Sequence, residues 1–217
     1  MNPKNYEISP GRTKFCLNGL WEFAPGQDGI TVLPAEWDPA PIKVPSPYNI
    51  NAFTPSHIRR YGGDETYVQG ADFRLYPEYP PSWERAKCGF YKRNITVTEE
   101  MLDERIFLHF DAVGFHCMFY VNGVRIAETM EAFLPIELEI TDCIHPGENE
   151  IIAACENAGY LMYKGKDGRN RLDYPRGSFW GEFVSGIWQD AWLITRPKAY
   201  VDDIFAVSDV YKRELNI

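Results

Sequence analysis

The chain lacks any apolar run near the roughly 18–20 residues that a membrane-spanning helix requires, so no spanning helix is expected within these residues. No stretch of ten or more residues keeps a clean helical period, and 99–104 supplies one turn at most. Positive charge is in deficit, with 22 Lys and Arg against 31 Asp and Glu and a formal net charge of −9. That balance argues against nucleic acid as a partner. Cysteine is sparse and badly spaced for chemistry: Cys16, Cys88, Cys117, Cys143 and Cys155 contain no Cys-x-x-Cys pair, and five cannot complete a disulfide framework. They read as reduced packing residues, since free cysteine behaves as a small hydrophobe. His57, His109, His116 and His145 are scattered with no His-x-x-x-His spacing, so no metal site is expected. His109 and His116 fall in strands and are expected to pack or to face water. Nucleophile-elbow, P-loop and Gly-x-Gly-x-x-Gly elements are absent, which leaves no support for a cofactor. Met1 to Gly11 is polar and holds no secretory h-region. With the odd cysteine count, this points to the cytoplasm, or to a chain whose leader has been removed.

What is present is alternation. Tyr91, Arg93, Ile95 and Val97 alternate with Lys92, Asn94 and Thr96, and Ile106, Leu108 and Phe110 with Arg105, Phe107 and His109. Phe115, Cys117, Phe119 and Val121 follow, then Ile136, Leu138 and Ile140, then Ile151, Ala153 and Cys155. Trp188, Asp190, Trp192 and Ile194 close the series. Period-two runs this short, broken by turns such as His145-Pro-Gly-Glu-Asn, predict an all-β sandwich with one buried face per sheet. Leu108, Phe110, Phe119, Val121, Ile140, Ile151 and Leu193 are the expected core. Asn122-Gly123, flanked by apolar residues, predicts a type I′ hairpin. Asn94-Ile-Thr96 is a formal glycosylation sequon that falls in a strand and reads as chance.

Two long segments break this rhythm, residues 46–89 and 157–185. The first carries eight aromatics (Tyr48, Phe53, Tyr61, Tyr67, Phe73, Tyr76, Tyr79, Trp83). Loops this long in a compact domain are functional or disordered, and aromatic density argues against disorder. A core already filled by strand faces leaves these rings to an exposed patch that docks on another domain. After Arg196-Pro197 an apolar stretch leads into what reads as the start of a further strand.

Several short motifs occur in a telling order: Leu17-Asn18-Gly19-Leu20-Trp21, Trp37 with Val44-Pro45-Ser46-Pro47-Tyr48, and Gly89-Phe90-Tyr91-Lys92-Arg93. Then come Phe107 to Val113, Val121-Asn122-Gly123, Gly147-Glu148-Asn149 and Gly186-Ile187-Trp188. Together they resemble the sugar-binding domain that opens family 2 glycoside hydrolases, the family of β-galactosidases, β-glucuronidases and β-mannosidases. The resemblance covers about Leu17 to Asp209. It departs at Met130-Glu131-Ala132-Phe133-Leu134-Pro135, where the family usually has a glycine-rich turn, and in the length of 46–89.

The resemblance implies a jelly roll over residues 1–198, and a linker with the first strand of an immunoglobulin-like domain over 199–217. The parent enzyme would hydrolyse a terminal β-linked sugar by double displacement, with nucleophile and acid/base both beyond residue 217. Its partners would be carbohydrate and the enzyme's own immunoglobulin-like and barrel domains. Within this chain no catalytic residue is expected. Asn149-Glu150 imitates the family's acid/base dipeptide, but Pro146-Gly147 makes a turn there and Asn149 is a residue that tolerates left-handed φ as the strand begins. For sugar contact the candidates are Trp180 as an aromatic platform with Asp173, Arg176 and Glu182 as polar partners. A plainer account makes Phe179 and Trp180 interface packing and leaves the charges solvated. The main alternative function is a free-standing carbohydrate-binding module, and a third is a purely structural interaction domain.

Overall fold

The computed structural model describes residues 5–9, 11–49, 79–157, 163–164, 170–171 and 185–216. Two antiparallel sheets face each other. The first has the order β1 (Asn5–Ser9), β2 (Arg12–Cys16), β15 (Ala191–Arg196), β6 (Arg105–Phe110), β10 (Ile136–Glu139). The second has the order β4 (Asp38–Val44), β3 (Gly19–Gly26), β5 (Cys88–Val97), β11 (Gly147–Glu156), β8 (His116–Val121), β9 (Val124–Met130). A two-residue ladder joins β7 (Val113–Gly114) to β14 (Gly186–Ile187), and two small hairpins pair β12 (Tyr163–Lys164) with β13 (Asn170–Arg171) and β16 (Val207–Asp209) with β17 (Glu214–Asn216). This is the all-β sandwich that the alternation predicts, in the jelly-roll form that the resemblance implies. The segment 99–104 forms a single 3-10 turn over Glu100–Asp103. Among the described residues no helix is long and apolar enough to cross a membrane.

The seven expected core residues all lie between the sheets: Leu108, Phe110, Phe119, Val121, Ile140 and Ile151 are 0% exposed and Leu193 3%. Phe110 of β6 meets Phe119 of β8 across the interface with ring centroids 5.2 Å apart. Asn122 (φ 50°) and Gly123 (φ 78°) take the two positive φ angles of the type I′ turn, whose twist matches that of β8 and β9. All five cysteines are free, with Cys88, Cys117 and Cys155 buried.

Three expectations are corrected. First, the second sheet is buried on both faces. Ala24, Cys88, Phe90, Met118, Tyr120, Ile152 and Ala154 form a second apolar cluster on its outer side with Ile30, Leu33 and Trp37. The irregular segment 27–37 lies over this face, and the Tyr120 hydroxyl donates to the Ile30 carbonyl at 2.9 Å. Second, in β15 the inward residues are Ala191 and Leu193, which puts Trp192 on the outer face beneath the Lys14 ammonium at 3.8 Å. Third, Tyr48, Tyr79 and Trp83 of the long first loop are core residues at 0%, 3% and 0% exposure; the other five aromatics of that loop lie outside the described residues.

Because Phe119 is fully enclosed and touches the opposite sheet, Phe119→Ala leaves a cavity that rigid strands cannot close. The expected loss is about 3–5 kcal/mol, read as a lower urea midpoint with little change in m. A loss below about 1 kcal/mol would mean that the two faces are not packed as described.

Candidate functional site

Both long loops spring from the sandwich, and their four ends are tied crosswise. Where the first loop leaves, the Ser46 N–H donates to the Ile187 carbonyl at 2.8 Å and the Tyr48 N–H to the Ser185 carbonyl at 3.1 Å. The Ser185 N–H in turn donates to Asn49 Oδ1 at 3.3 Å. The exit of the first loop is thus bonded to the return of the second. Where the first loop returns, Lys87 accepts from the Asn157 N–H at 2.7 Å through its carbonyl, and Ala86 from Asn157 Nδ2 at 3.3 Å. The return of the first loop is bonded to the exit of the second. Ser46, Asn49, Asn157 and Ser185 are all buried polar residues, so these bonds offset a desolvation penalty that would otherwise fall on unpaired groups.

Beneath the junction lies an aromatic nest. Phe23 sits 4.2 Å from Trp83, 5.2 Å from Tyr91 and 5.5 Å from Tyr48, and Tyr79 stacks on Trp83 at 5.0 Å. Three of the four polar rings find partners at the rim, as buried Tyr and Trp usually do, whereas the buried Tyr48 hydroxyl has none among the described residues. Trp83 Nε1 donates to Asp38 at 3.0 Å, the Tyr79 hydroxyl accepts from the Lys43 N–H at 3.1 Å, and the Tyr91 hydroxyl donates to the Ser46 carbonyl at 3.0 Å. Gly186 has φ +108°, and a Cβ there would run into the Tyr91 hydroxyl. Only glycine permits this contact. Burial pushes the Tyr48 and Tyr91 hydroxyls well above their usual range, so both remain donors and neither serves as a base.

His116 stands beside one root. Its Nδ1 lies 2.7 Å from Glu156, the residue before Asn157, and its Nε2 lies 2.8 Å from Glu128. His109 is held similarly between Asp111 at 3.0 Å and Glu137 at 3.2 Å. Both histidines are bridged by carboxylates rather than simply packed or solvated. Burial pulls the His116 imidazolium down, but the hydrogen bonds it donates to Glu156 and Glu128, with their negative charge, outweigh it and hold its pKa above the ordinary value. Among the described residues no group of three or more His, Cys, Asp or Glu is placed to hold a metal ion.

The sugar-contact candidates Asp173, Arg176, Trp180 and Glu182 all lie outside the described residues. Asn149 has a structural task. It is buried in β11, its Oδ1 accepts from the His145 N–H at 3.0 Å and from Asn122 Nδ2 at 2.9 Å, and its Nδ2 donates to the His145 carbonyl at 2.7 Å. The positive φ of that turn belongs to Gly147 at 95° and not to Asn149. Asn49, Asn157 and Ser185 belong to no motif read from the sequence, and Ser46 appears there only as part of Val44-Pro45-Ser46-Pro47-Tyr48. A polar residue at each boundary between an alternating strand and a long loop was the available signal.

The family model described as "Glycosyl hydrolases family 2, sugar binding domain" matches residues 15–197. A β-galactosidase of Streptococcus thermophilus is 27% identical over 216 residues, covering 94% of this chain and 19% of that protein. A β-galactosidase of Vibrio cholerae is 28% identical over 205 residues, covering 91% and 18%. The chain therefore spans about a fifth of the length of these curated relatives. Among solved structures, a β-glucuronidase from an uncultured Clostridium species superposes with a TM-score of 0.64 at 20% identity, over 96% of this chain and 34% of that one. A β-D-glucuronidase of Dictyoglomus thermophilum superposes with a TM-score of 0.64 at 21% identity, over 94% and 31%.

The His116 bridge has a pH signature. A folded-state pKa raised above the unfolded value of about 6.5 contributes stability that is fully present below that value and lost as pH rises through the folded pKa. Urea titrations of the parent and His116→Gln between about pH 5.5 and 8.5 should show their largest gap at the acid end, narrowing with rising pH. A gap that stays constant or widens would rule out a charged bridge.

Proposed function

We propose, on the premise that this chain belongs to the glycosyl hydrolases family 2 through that family's sugar-binding domain, that it is a non-catalytic part of a larger enzyme cleaving terminal β-linked sugars. What supports this most is the crosswise root. A rigid two-sheet frame holds the ends of two long, aromatic-rich loops at one junction, the arrangement expected of a domain that presents loops to a sugar or to a neighbouring barrel. Double displacement needs two carboxyl groups about 5–5.5 Å apart across the sugar ring, and we assign that pair to another part of the enzyme. Glu150, the residue that imitates the family's acid/base, lies in a β-ladder opposite Asn94, and its N–H donates to Asn122 Oδ1 at 3.0 Å.

Trp180, Asp173, Arg176 and Glu182 remain our candidates for sugar contact on the second loop. They supply a flat apolar face for C–H groups and charged groups for hydroxyls. We further assign residues from about 199 onward to a second unit, immunoglobulin-like by family resemblance. In support, Val201, Ile204, Phe205, Val210 and Tyr211 are 63–101% exposed, more large apolar surface than so short a segment leaves bare without a partner. The five free thiols fit a reducing, cytoplasmic setting.

The 217-residue chain should show no turnover of aryl β-galactosides, β-glucuronides or β-mannosides above the uncatalysed rate. Turnover that disappears in Glu150→Gln would overturn the assignment of catalysis elsewhere. A free-standing module is distinguished by calorimetry: micromolar binding of a monosaccharide by this chain, lost in Trp180→Ala, would make that the better reading.

A further inference from the structure

A second feature lies away from the loop roots, where the chain crosses between sheets. The ladder joining β3 to β5 runs from Gly26 opposite Cys88 to Glu22 opposite Lys92. Beyond Lys92 the two strands part. The chain entering β3 comes over from the first sheet through Leu17 and Asn18, which stay tied to it: the Leu17 N–H donates to the Ala191 carbonyl at 2.9 Å and the Ala191 N–H to Asn18 Oδ1 at 3.0 Å. A cavity of about 220 Å³ opens in the gap. Phe15, Leu17, Ile95, Met101 and Leu193 wall it with apolar surface, Arg93 supplies its charged group, and Cys16, Asn94 and Thr96 complete the lining.

Arg93 spans the parting. Its Nη1 donates to the Leu17 carbonyl at 2.7 Å and to the Asn18 carbonyl at 3.3 Å, and its guanidinium carbon lies 5.8 Å from the Trp21 ring centroid. These contacts are to neutral groups. Arg105, Arg125 and Arg196 each pair with a glutamate, whereas no described carboxylate pairs with Arg93. Its Nε and Nη2 donors have no hydrogen-bond partner among the described residues. The side chain is half-buried, and burial pulls the guanidinium below its ordinary pKa, with only the Cys16 thiol acting in the other direction, as for a cation that has given up hydration without gaining a carboxylate partner.

We propose that this inter-sheet cavity is a binding site for a small carboxylate with an apolar body, its carboxylate taken by the free edge of Arg93 and its body seated among Phe15, Leu17, Ile95, Met101 and Leu193. A planar carboxylate matches the Nε–Nη2 edge with two parallel hydrogen bonds. A phosphate dianion fits less well, because one cation meets two charges against largely apolar walls. The site uses neither the long loops nor the family's sugar chemistry, so it stands or falls independently of the function proposed above.

Cys16 provides the readout. It borders the cavity opposite Trp192 of β15, near enough to Arg93 for the two to interact electrostatically. It is partly buried, as is Cys143, which lies outside the cavity lining, while the other three cysteines are buried. The 217-residue chain is alkylated with neutral iodoacetamide and labelling at each cysteine is followed by peptide mass spectrometry. Benzoate is the probe, benzamide its neutral isostere, and inorganic phosphate the competing anion. Benzoate should slow labelling of Cys16 saturably, by ~threefold at twice its Kd since the open fraction falls as 1/(1 + [L]/Kd). One charge-assisted pair plus a small apolar body sets that Kd on the order of 1–10 mM. Cys143 should be unaffected, and Arg93→Gln should abolish the protection. Several results would overturn the site: no protection by benzoate, equal protection by benzamide or phosphate, equal slowing at Cys143, or undiminished protection in Arg93→Gln. The benzoate–benzamide contrast is read on the unaltered chain, so the test survives even if the variant does not fold.

Discussion

The Tyr91 hydroxyl reaches the Ser46 carbonyl only because residue 186 has no side chain, and much of the molecule's working end follows from that contact. Gly186 pairs with Gly114 and Ile187 with Val113, while the Ile187 carbonyl receives the Ser46 N–H. One glycine therefore brings together the strand-like stub before the last core strand, the stub after β6, and the chain leaving β4. Three segments far apart in sequence meet above a tyrosine rooted in the middle of the second sheet. Any side chain at 186 must displace that ring or separate the segments, and the exit of the first loop would lose its hold on the return of the second.

Below this junction the sandwich behaves as two problems with one solution. The inter-sheet core is apolar and finely packed. The outer faces are handled differently on the two sheets. The second sheet is covered by its own chain, residues 27–37, so β5, β8 and β11 bury residues of both parities. The first sheet covers its outer face with side chains instead, so that Phe107 and Ile194 are buried there: Lys14 covers Trp192, Arg196 lies over Phe107 at 4.4 Å, and Arg12, Arg105 and Arg196 lie 5.1–5.3 Å from the Tyr200 ring centroid. Long cationic side chains shield aromatic surface with their stems while their heads stay wet or ion-paired. Arg196 is itself only 11% exposed but is paired with Glu137, so what sets Arg93 at the sheet crossing apart is that no described carboxylate pairs with it.

How much of this was legible follows from the range of each interaction. The Asn122-Gly123 turn is set by two adjacent residues, and the inward faces of β6, β8 and β11 by strict alternation, so both stand out in the chain. The order of motifs carried the jelly-roll assignment through resemblance rather than through any single spacing. By contrast, period-two reasoning is silent about aromatics outside strands, and it left Tyr48, Tyr79 and Trp83 for a surface when they complete the core. Asn49 and Ser185 are 136 residues apart, Asn157 and Ala86 are 71 apart, and His116 reaches carboxylates 12 and 40 residues away. No local pattern encodes those pairs. The segment 27–37 escaped for the same reason: its Ile30, Leu33 and Trp37 show neither period, and only the presence of a second apolar face on the sheet explains them.

Crosswise roots also account for how so long a first loop sits on a small frame. Closing a flexible loop costs entropy that grows only with the logarithm of its length, about 0.6 kcal/mol per doubling. The larger expense is holding the ends together, and here the frame bears it: Ser46 and Tyr48 at one end and Lys87 and Ala86 at the other are bonded to a neighbouring strand or loop root. Extra residues between those anchors change little in the energy of the sandwich. Tyr79 and Trp83, packed into the nest just inside the returning anchor, isolate the frame further from what lies beyond. The scaffold and the loops are thus energetically separable, with the boundary drawn by four buried polar residues and one glycine. Loop chemistry can vary to suit a ligand or a neighbouring domain while β-strand packing stays fixed.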